Sequence, residues 1–209
     1  MGKGVIITGA NRGIGKEVAK QIAKLRQKVY MAYRSIDSAK LVRDEIVKET
    51  NNPHVYGKNF VLAPARLINN FENEYKQNEI KLDVLISNTG IGSHSKKFSE
   101  PGVEMTFAVN VLGHELITKL LLDELKNATP SRIINVASQY ADELDWDDIH
   151  FERRRFNKNL AYKQSKQACR MLTHEWARRL VKDNITVYSV HPGFSLTQTF
   201  SENKLPWAK

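Results

Sequence analysis

Six short apolar runs punctuate the chain, separated by stretches in which apolar residues recur every three or four positions. Val5-Ile6-Ile7-Thr8 is too brief for a helix and rich in β-branched residues, so it predicts a buried strand. Further strands are predicted at 28–33, within 54–62, and at 82–86, 132–137 and 185–190. Between them, the spacing of Val18, Ile22 and Leu25 predicts a first helix, and 38–48 a second, stopped by Asn51-Asn52-Pro53. A third is predicted at 65–75. A long helix is expected across most of 101–126, with Met105, Phe107, Leu112, Leu116 and Leu120 available for burial. A central helix contains 161–170, free of Gly and Pro, and runs to Val181. Strands alternating with helices predict an α/β fold, a doubly wound parallel sheet with helices on both faces. The stretch 142–159 is polar and aperiodic, and 194–209 is too short and polar for a further strand–helix unit. No repeat or linker divides residues 1–209, which read as one domain.

Composition narrows the function classes. At 41% hydrophobic and 26% charged residues, the chain has the balance of a soluble globular protein, and no apolar run is long enough to span a bilayer. The first strand begins too near Met1 to leave room for a signal peptide. A single cysteine, Cys169, cannot form an internal disulfide and suits a reducing compartment, so a cytoplasmic location is expected. Within the central helix it reads as a small buried filler. Six histidines lack paired ligand spacing, so no metal site is expected. The net charge of +9 is spread over helices. The one dense cluster, Arg153-Arg154-Arg155, has no aromatic-interleaved or zinc-type motif beside it, so no nucleic-acid partner is expected.

Candidate chemistry lies after the strands. Thr8-Gly9-Ala10-Asn11-Arg12-Gly13-Ile14-Gly15 joins the first strand to the first helix, the arrangement that opens a dinucleotide site. Gly9 allows the tight turn, Gly13 lets backbone approach a pyrophosphate at the helix N-terminus, and Gly15 permits close helix–strand packing. Arg34 ends the second strand, where an NAD-selective site usually carries a carboxylate. Arg34 and Arg12 are either the two jaws for a 2′-phosphate or ordinary surface arginines. Ser87-Asn88-Thr89-Gly90 follows the fourth strand and should face the cofactor, and Ser138 ends the fifth. Asn110 is polar within an apolar helix, where a structural hydrogen bond would account for it. Tyr162 and Lys166, four residues apart, leave the same face of the central helix. An ammonium beside a phenol lowers its pKa toward the range useful for proton exchange with an alcohol or ketone. As an isolated pair on a helix, such residues more often serve solubility.

Taken in order, these landmarks with Pro192-Gly193 resemble the short-chain dehydrogenase/reductase family over almost the whole chain. Leu144-Asp145-Trp146-Asp147-Asp148-Ile149, Tyr162-Lys163-Gln164-Ser165-Lys166 and Glu175-Trp176-Ala177-Arg178-Arg179-Leu180 are similar to its retinol-dehydrogenase-like branch. The resemblance implies a Rossmann-type fold binding NADP(H) in preference to NAD(H), and hydride transfer to or from an alcohol or carbonyl, retinoid-like or otherwise lipophilic. It assigns Tyr162 as general acid/base and Lys166 as the group that lowers its pKa and holds the nicotinamide ribose. Ser138 would bond the substrate oxygen, and Asn110 would position a water relaying protons to Lys166. Cofactor contacts are implied for Gly9, Asn11, Arg12, Gly13, Ile14, Gly15, Arg34, Asn88, Thr89, Gly90, Tyr162, Lys166, Pro192 and Gly193. Pairing of the long helices into a homodimer is also implied.

Three departures stand against the family pattern. Ser87-Asn88-Thr89-Gly90 replaces Asn-Asn-Ala-Gly, placing a bulkier, hydroxylated Thr89 near the adenosine. No aspartate lies near Val61-Leu62-Ala63 to hold the adenine. Only 194–209 follows the Pro-Gly turn, so the last strand and the substrate-covering loop are expected to be missing. A nucleotide-binding protein with weak or no catalysis and a regulatory role is therefore the alternative reading.

Overall fold

The computed structural model describes residues 2–33, 36–59 and 81–193. Six strands form one parallel sheet: β1 (Gly4–Thr8), β2 (Lys28–Tyr33), β3 (Val55–Asn59), β4 (Val84–Ser87), β5 (Ser131–Val136) and β6 (Ile185–Val190). Their order is β3-β2-β1-β4-β5-β6, so the chain reverses direction of travel across the sheet between β3 and β4. That reversal leaves a crevice at the strand C-terminal ends beside β1 and β4, where ligands of such sheets bind. The fold is the α/β Rossmann type. The expected helix at 65–75 and the stretch 194–209 lie outside the described residues.

Both faces of the sheet are apolar because each inner strand alternates two sets of side chains. Val5, Ile7, Val29, Met31 and Ile86 pack on one face with Ala19 and Ala23 of α1 (Gly13–Lys24) and Ile46 of α2 (Ile36–Thr50). Ile6, Tyr30, Leu85, Ile133 and Val187 pack on the other with Ile117, Leu121, Leu125, Trp176 and Leu180. At about 25 cal/mol per Å² of apolar area, these two layers are the main drive for folding. β6 is an edge strand among the described residues, and its Tyr188 and Val190 are exposed.

The long helix expected across 101–126 is interrupted. It consists of α3 (Met105–Phe107), a π-helical turn (Ala108–Leu112), α4 (Gly113–Leu120) and α5 (Leu122–Asn127). Glu104 caps its start: its carboxylate accepts from Thr106 N and Phe107 N, both at 2.9 Å. A π turn inserts an extra residue, rotating everything after it by about 100°. Leu112, expected to be buried, is therefore exposed, while Ile117, Leu121 and Leu125 reach the core.

The central helix, α6 (Lys158–Leu180), starts where the Asn157 side chain accepts from Asn159 N and Leu160 N. The preceding stretch, aperiodic in sequence, is organised by a buried carboxylate. Asp148 accepts from the backbone of Glu152, Arg153 and Arg154 and from the Arg154 guanidinium at 2.9 Å. Arg154 also lies over the Phe151 ring, so the central member of the basic cluster is used internally. Gln164 of α6 donates to Ile149 O, tying this loop to the helix that carries Tyr162 and Lys166.

Candidate active site

The glycine turn has the conformation that the sequence demanded. Gly9 and Gly13 adopt φ of +67° and +54°, a region that residues with a Cβ rarely enter. At Gly15 the constraint is contact: a Cβ there would lie 2.4 Å from Gly9 O and 2.5 Å from Asn88 Nδ2. The first turn of α1 carries no acidic residue, and its N-cap, the exposed Arg12, makes no side-chain capping bond. Uncapped amides at a helix N-terminus, approached over glycine, suit a pyrophosphate. Asn11 and Ile14 are half-buried within the same turn.

The loop after β4 is fastened to this turn. Thr8 Oγ1 accepts from Asn88 N at 2.9 Å and Thr89 N at 3.0 Å, while Asn88 Nδ2 donates to Thr8 O at 2.9 Å. Asn88 thus braces the glycine turn with its amide. The Thr89 side chain leans on Gly9, with Oγ1 2.9 Å from where a Gly9 Cβ would stand. Gly90 opens the way to the next elements: a Cβ on it would lie 3.4 Å from Lys166 Nζ and 3.7 Å from Asn110 Oδ1.

Asn110 sits in the π turn with its side chain fully buried. Its Oδ1 accepts from Ile91 N at 2.9 Å, and its Nδ2 donates to Ile91 O and Ser165 Oγ, both at 3.0 Å. The amide therefore clamps the β4 loop to α6. The Asn110 backbone carbonyl, in the π turn, accepts the Cys169 thiol at 2.8 Å. Cys169 is buried, as expected of a filler, but it also satisfies this polar group.

Ser138, at the end of β5, and Tyr162 are hydrogen-bonded through their side chains. Lys166, one turn along α6, is 3% exposed, with Nζ donating to Val136 O at 2.7 Å and lying 5.8 Å from the Tyr162 ring centroid. Burial lowers the Lys166 pKa. Burial pushes the Tyr162 phenol up, and the Ser138 bond pulls it back. In this geometry the Ser138 hydrogen bond is what lowers the phenol against its burial. His114, also buried here, is held down to about 3 by burial and then by the charge of Lys166, with the Thr89 backbone acting the other way.

Ser138, Tyr162, Lys166, Asn110 and Gly90 thus share one site beside the glycine turn. Pro192 and Gly193 follow β6 and are exposed, Gly193 at φ +83°. Arg34 lies outside the described residues, so only Arg12 of the two proposed phosphate jaws is placed, as do Val61-Leu62-Ala63. Sequence reasoning missed His114 and the second role of Cys169. His114 lies one turn after Asn110, a spacing that could have drawn attention to it. Among the described residues no group of His, Cys, Asp and Glu could hold a metal ion, and no helix is long and apolar enough to cross a membrane.

Comparison with known proteins bears on the family and the fold. The family model described as short chain dehydrogenase matches residues 3–206. Human retinol dehydrogenase 13 is 40% identical over 199 residues, covering 94% of this chain and 60% of that protein. Human retinol dehydrogenase 11 is 41% identical over 194 residues, covering 92% and 61%. The chain therefore spans about three-fifths of the length of these relatives. A solved structure of an uncharacterised protein from Mycobacterium paratuberculosis superposes with a TM-score of 0.81 at 29% identity, covering 92% of this chain and 69% of that one. The Pseudomonas aeruginosa RhlG/NADP active-site complex gives 0.77 at 20% identity, covering 96% and 76%, which speaks for the fold alone. A match over nearly the whole chain places the protein: it belongs to the short-chain dehydrogenase family, and it is similar to retinol dehydrogenases of that family.

Proposed function

We propose that the protein is an NADP(H)-dependent oxidoreductase acting on an alcohol or carbonyl of lipophilic, retinoid-like character. The observation that carries this reading is the hydrogen-bonded Ser138–Tyr162 pair beside a buried Lys166 on the same helical ridge. Gly9, Gly13 and the open α1 N-terminus fit a pyrophosphate, and Arg12 with Arg34 would take the 2′-phosphate. The bound nicotinamide supplies or accepts the hydride. Ser138 holds the substrate oxygen, and Tyr162 delivers a proton to it during reduction. Burial disfavours the resulting phenolate, the Ser138 hydrogen bond favours it, and the Lys166 cation one turn away would add to that support. Asn110 holds Ile91 and Ser165 by its amide, and it would position the water that relays protons to Lys166. The relatives' names motivate the substrate class. Cytoplasmic residence rests on the free, buried Cys169.

A second reading, nucleotide binding without turnover, is favoured by one observation: burial raises the Tyr162 phenol, a poor state for acid–base work unless substrate and cofactor change its surroundings. One sample separates the two. Titration with NADPH and NADH should show tighter binding of NADPH, and a carbonyl panel should then show turnover. Tyr162→Phe should bind NADPH within about twofold of the wild type while losing at least about a hundredfold in turnover. Unchanged turnover in the variant refutes the assignment, and binding without any wild-type turnover selects the second reading.

A further inference from the structure

Behind the site, between α4, β5 and α6, lies a small pocket of about 10 Å³. That is room for one water molecule. Its walls are unusually polar for a layer otherwise filled by leucine and isoleucine. His114 is 4% exposed; neither ring nitrogen makes a hydrogen bond of regular geometry to a protein group, although the Thr89 backbone lies close enough to act on the ring. Asn135 is 5% exposed; its Nδ2 donates to Thr173 Oγ1 at 3.0 Å, but its Oδ1 has no protein partner. The outer wall is closed by Trp176, whose Nε1 donates to Glu115 Oε2 at 2.6 Å.

Buried polar atoms are almost always satisfied, and a histidine and an amide oxygen facing one small cavity are a strong exception. One water resolves it, since it offers two protons and two lone pairs to a donor–acceptor imidazole and an acceptor-only amide oxygen. On its other side the ring meets the backbone of Thr89, in the loop that braces the glycine turn. The two ring nitrogens are not equivalent, and the bond made by one decides the protonation of the other.

We propose that this pocket is a water site, that the water bridges His114 to Asn135 Oδ1, and that the bridge fixes the imidazole tautomer supporting the Thr89 backbone. His114 is then a positioning residue for the cofactor loop 88–90, acting through the backbone and touching neither cofactor nor substrate. The loop half of this inference rests on the nucleotide-binding reading above; the water half does not. A proton relay is unnecessary to it, and no metal is called for: of the other groups lining the pocket, Glu115 is engaged with Trp176 Nε1 and Lys119, and the protonated Cys169 with Asn110 O.

The test uses the full chain. A high-resolution crystal structure should show an ordered solvent peak within hydrogen-bond distance of a His114 ring nitrogen and Asn135 Oδ1, and ¹⁵N spectra should show His114 as a single neutral tautomer. A dry pocket or a mixture of tautomers overturns the water site. NADPH affinity, read by fluorescence titration without turnover, should weaken about fivefold to tenfold in both Asn135→Leu and His114→Phe. It should recover in whichever of His114→Asn and His114→Gln places an amide nitrogen at the ring position that faces Thr89. Circular dichroism checks that each variant is folded, and Asn135→Leu, which keeps the imidazole, covers the case in which His114→Phe fails to fold. Wild-type affinity in both folded variants, or equal rescue by neither amide, overturns the positioning role. If the wild type itself binds no NADPH, the nucleotide reading and the positioning role fail together, while the solvent peak still decides the water site.

Discussion

Gly15 shows how tightly the site is specified by single residues. The backbone oxygen of Gly9 and the amide of Asn88 occupy the space that a side chain would need. Both neighbours are themselves fixed, Asn88 by Thr8 and Gly9 by its bond from N to Ala32 O at 2.7 Å. Neither can yield like the tip of a flexible side chain. Gly15→Ala is therefore expected to destabilise the fold by about 1–3 kcal/mol and to displace the turn. Thermal unfolding with and without NADPH should show a lower midpoint and a smaller nucleotide-induced rise. Asn110 teaches the complementary lesson. Its polarity in an apolar helix was visible in the sequence, but the three bonds that use it depend on Ile91 and Ser165, 19 and 55 positions away.

At the scale of elements, the loop leading into α6 is the clearest case of structure built around one group. Burial works against the Asp148 carboxylate, yet backbone donors from Arg153 and Arg154, the Arg154 side chain and Glu152 N overcome it and hold its pKa well below the usual range. A carboxylate depressed in the folded state stabilises fully above its unfolded pKa and progressively less as pH falls through that value. Stability should therefore decline as pH drops below about 4, and Asp148→Asn should remove part of that decline while destabilising the protein at neutral pH. Unfolding midpoints followed from pH 7 downwards for both proteins check this; parallel curves would contradict it. Because Gln164 ties α6 to Ile149, a loosened loop should also move Tyr162 and reduce turnover more than nucleotide affinity.

For the whole molecule, the helices around the site also leave apolar surface outside it. Leu112 in the π turn and Met171 on the neighbouring α6 are each more than two-fifths exposed, at 43% and 44%. Self-association through these helices would cover them, in line with the homodimer that the family resemblance implied. Met171→Glu would then bury a charge at the contact and weaken association at least about tenfold. Sedimentation velocity across a concentration series should show the wild type as a dimer and the variant shifted to monomer; a wild type that stays monomeric removes the proposal.

The periods of the apolar pattern determined the strands, the helices on both sheet faces and the order of the site motifs, because burial on a strand or helix repeats at a spacing that one dimension already shows. Tyr162 and Lys166 shared a ridge for the same local reason. Only the tertiary structure decided what depends on neighbours distant in the chain. The π turn redirected Leu112 outward, Asp148 gathered an aperiodic loop, and Ser138 came to hydrogen-bond the Tyr162 phenol. A hydrogen bond or a dry environment is a property of the groups that fold against a residue, and no local spacing encodes which groups those will be.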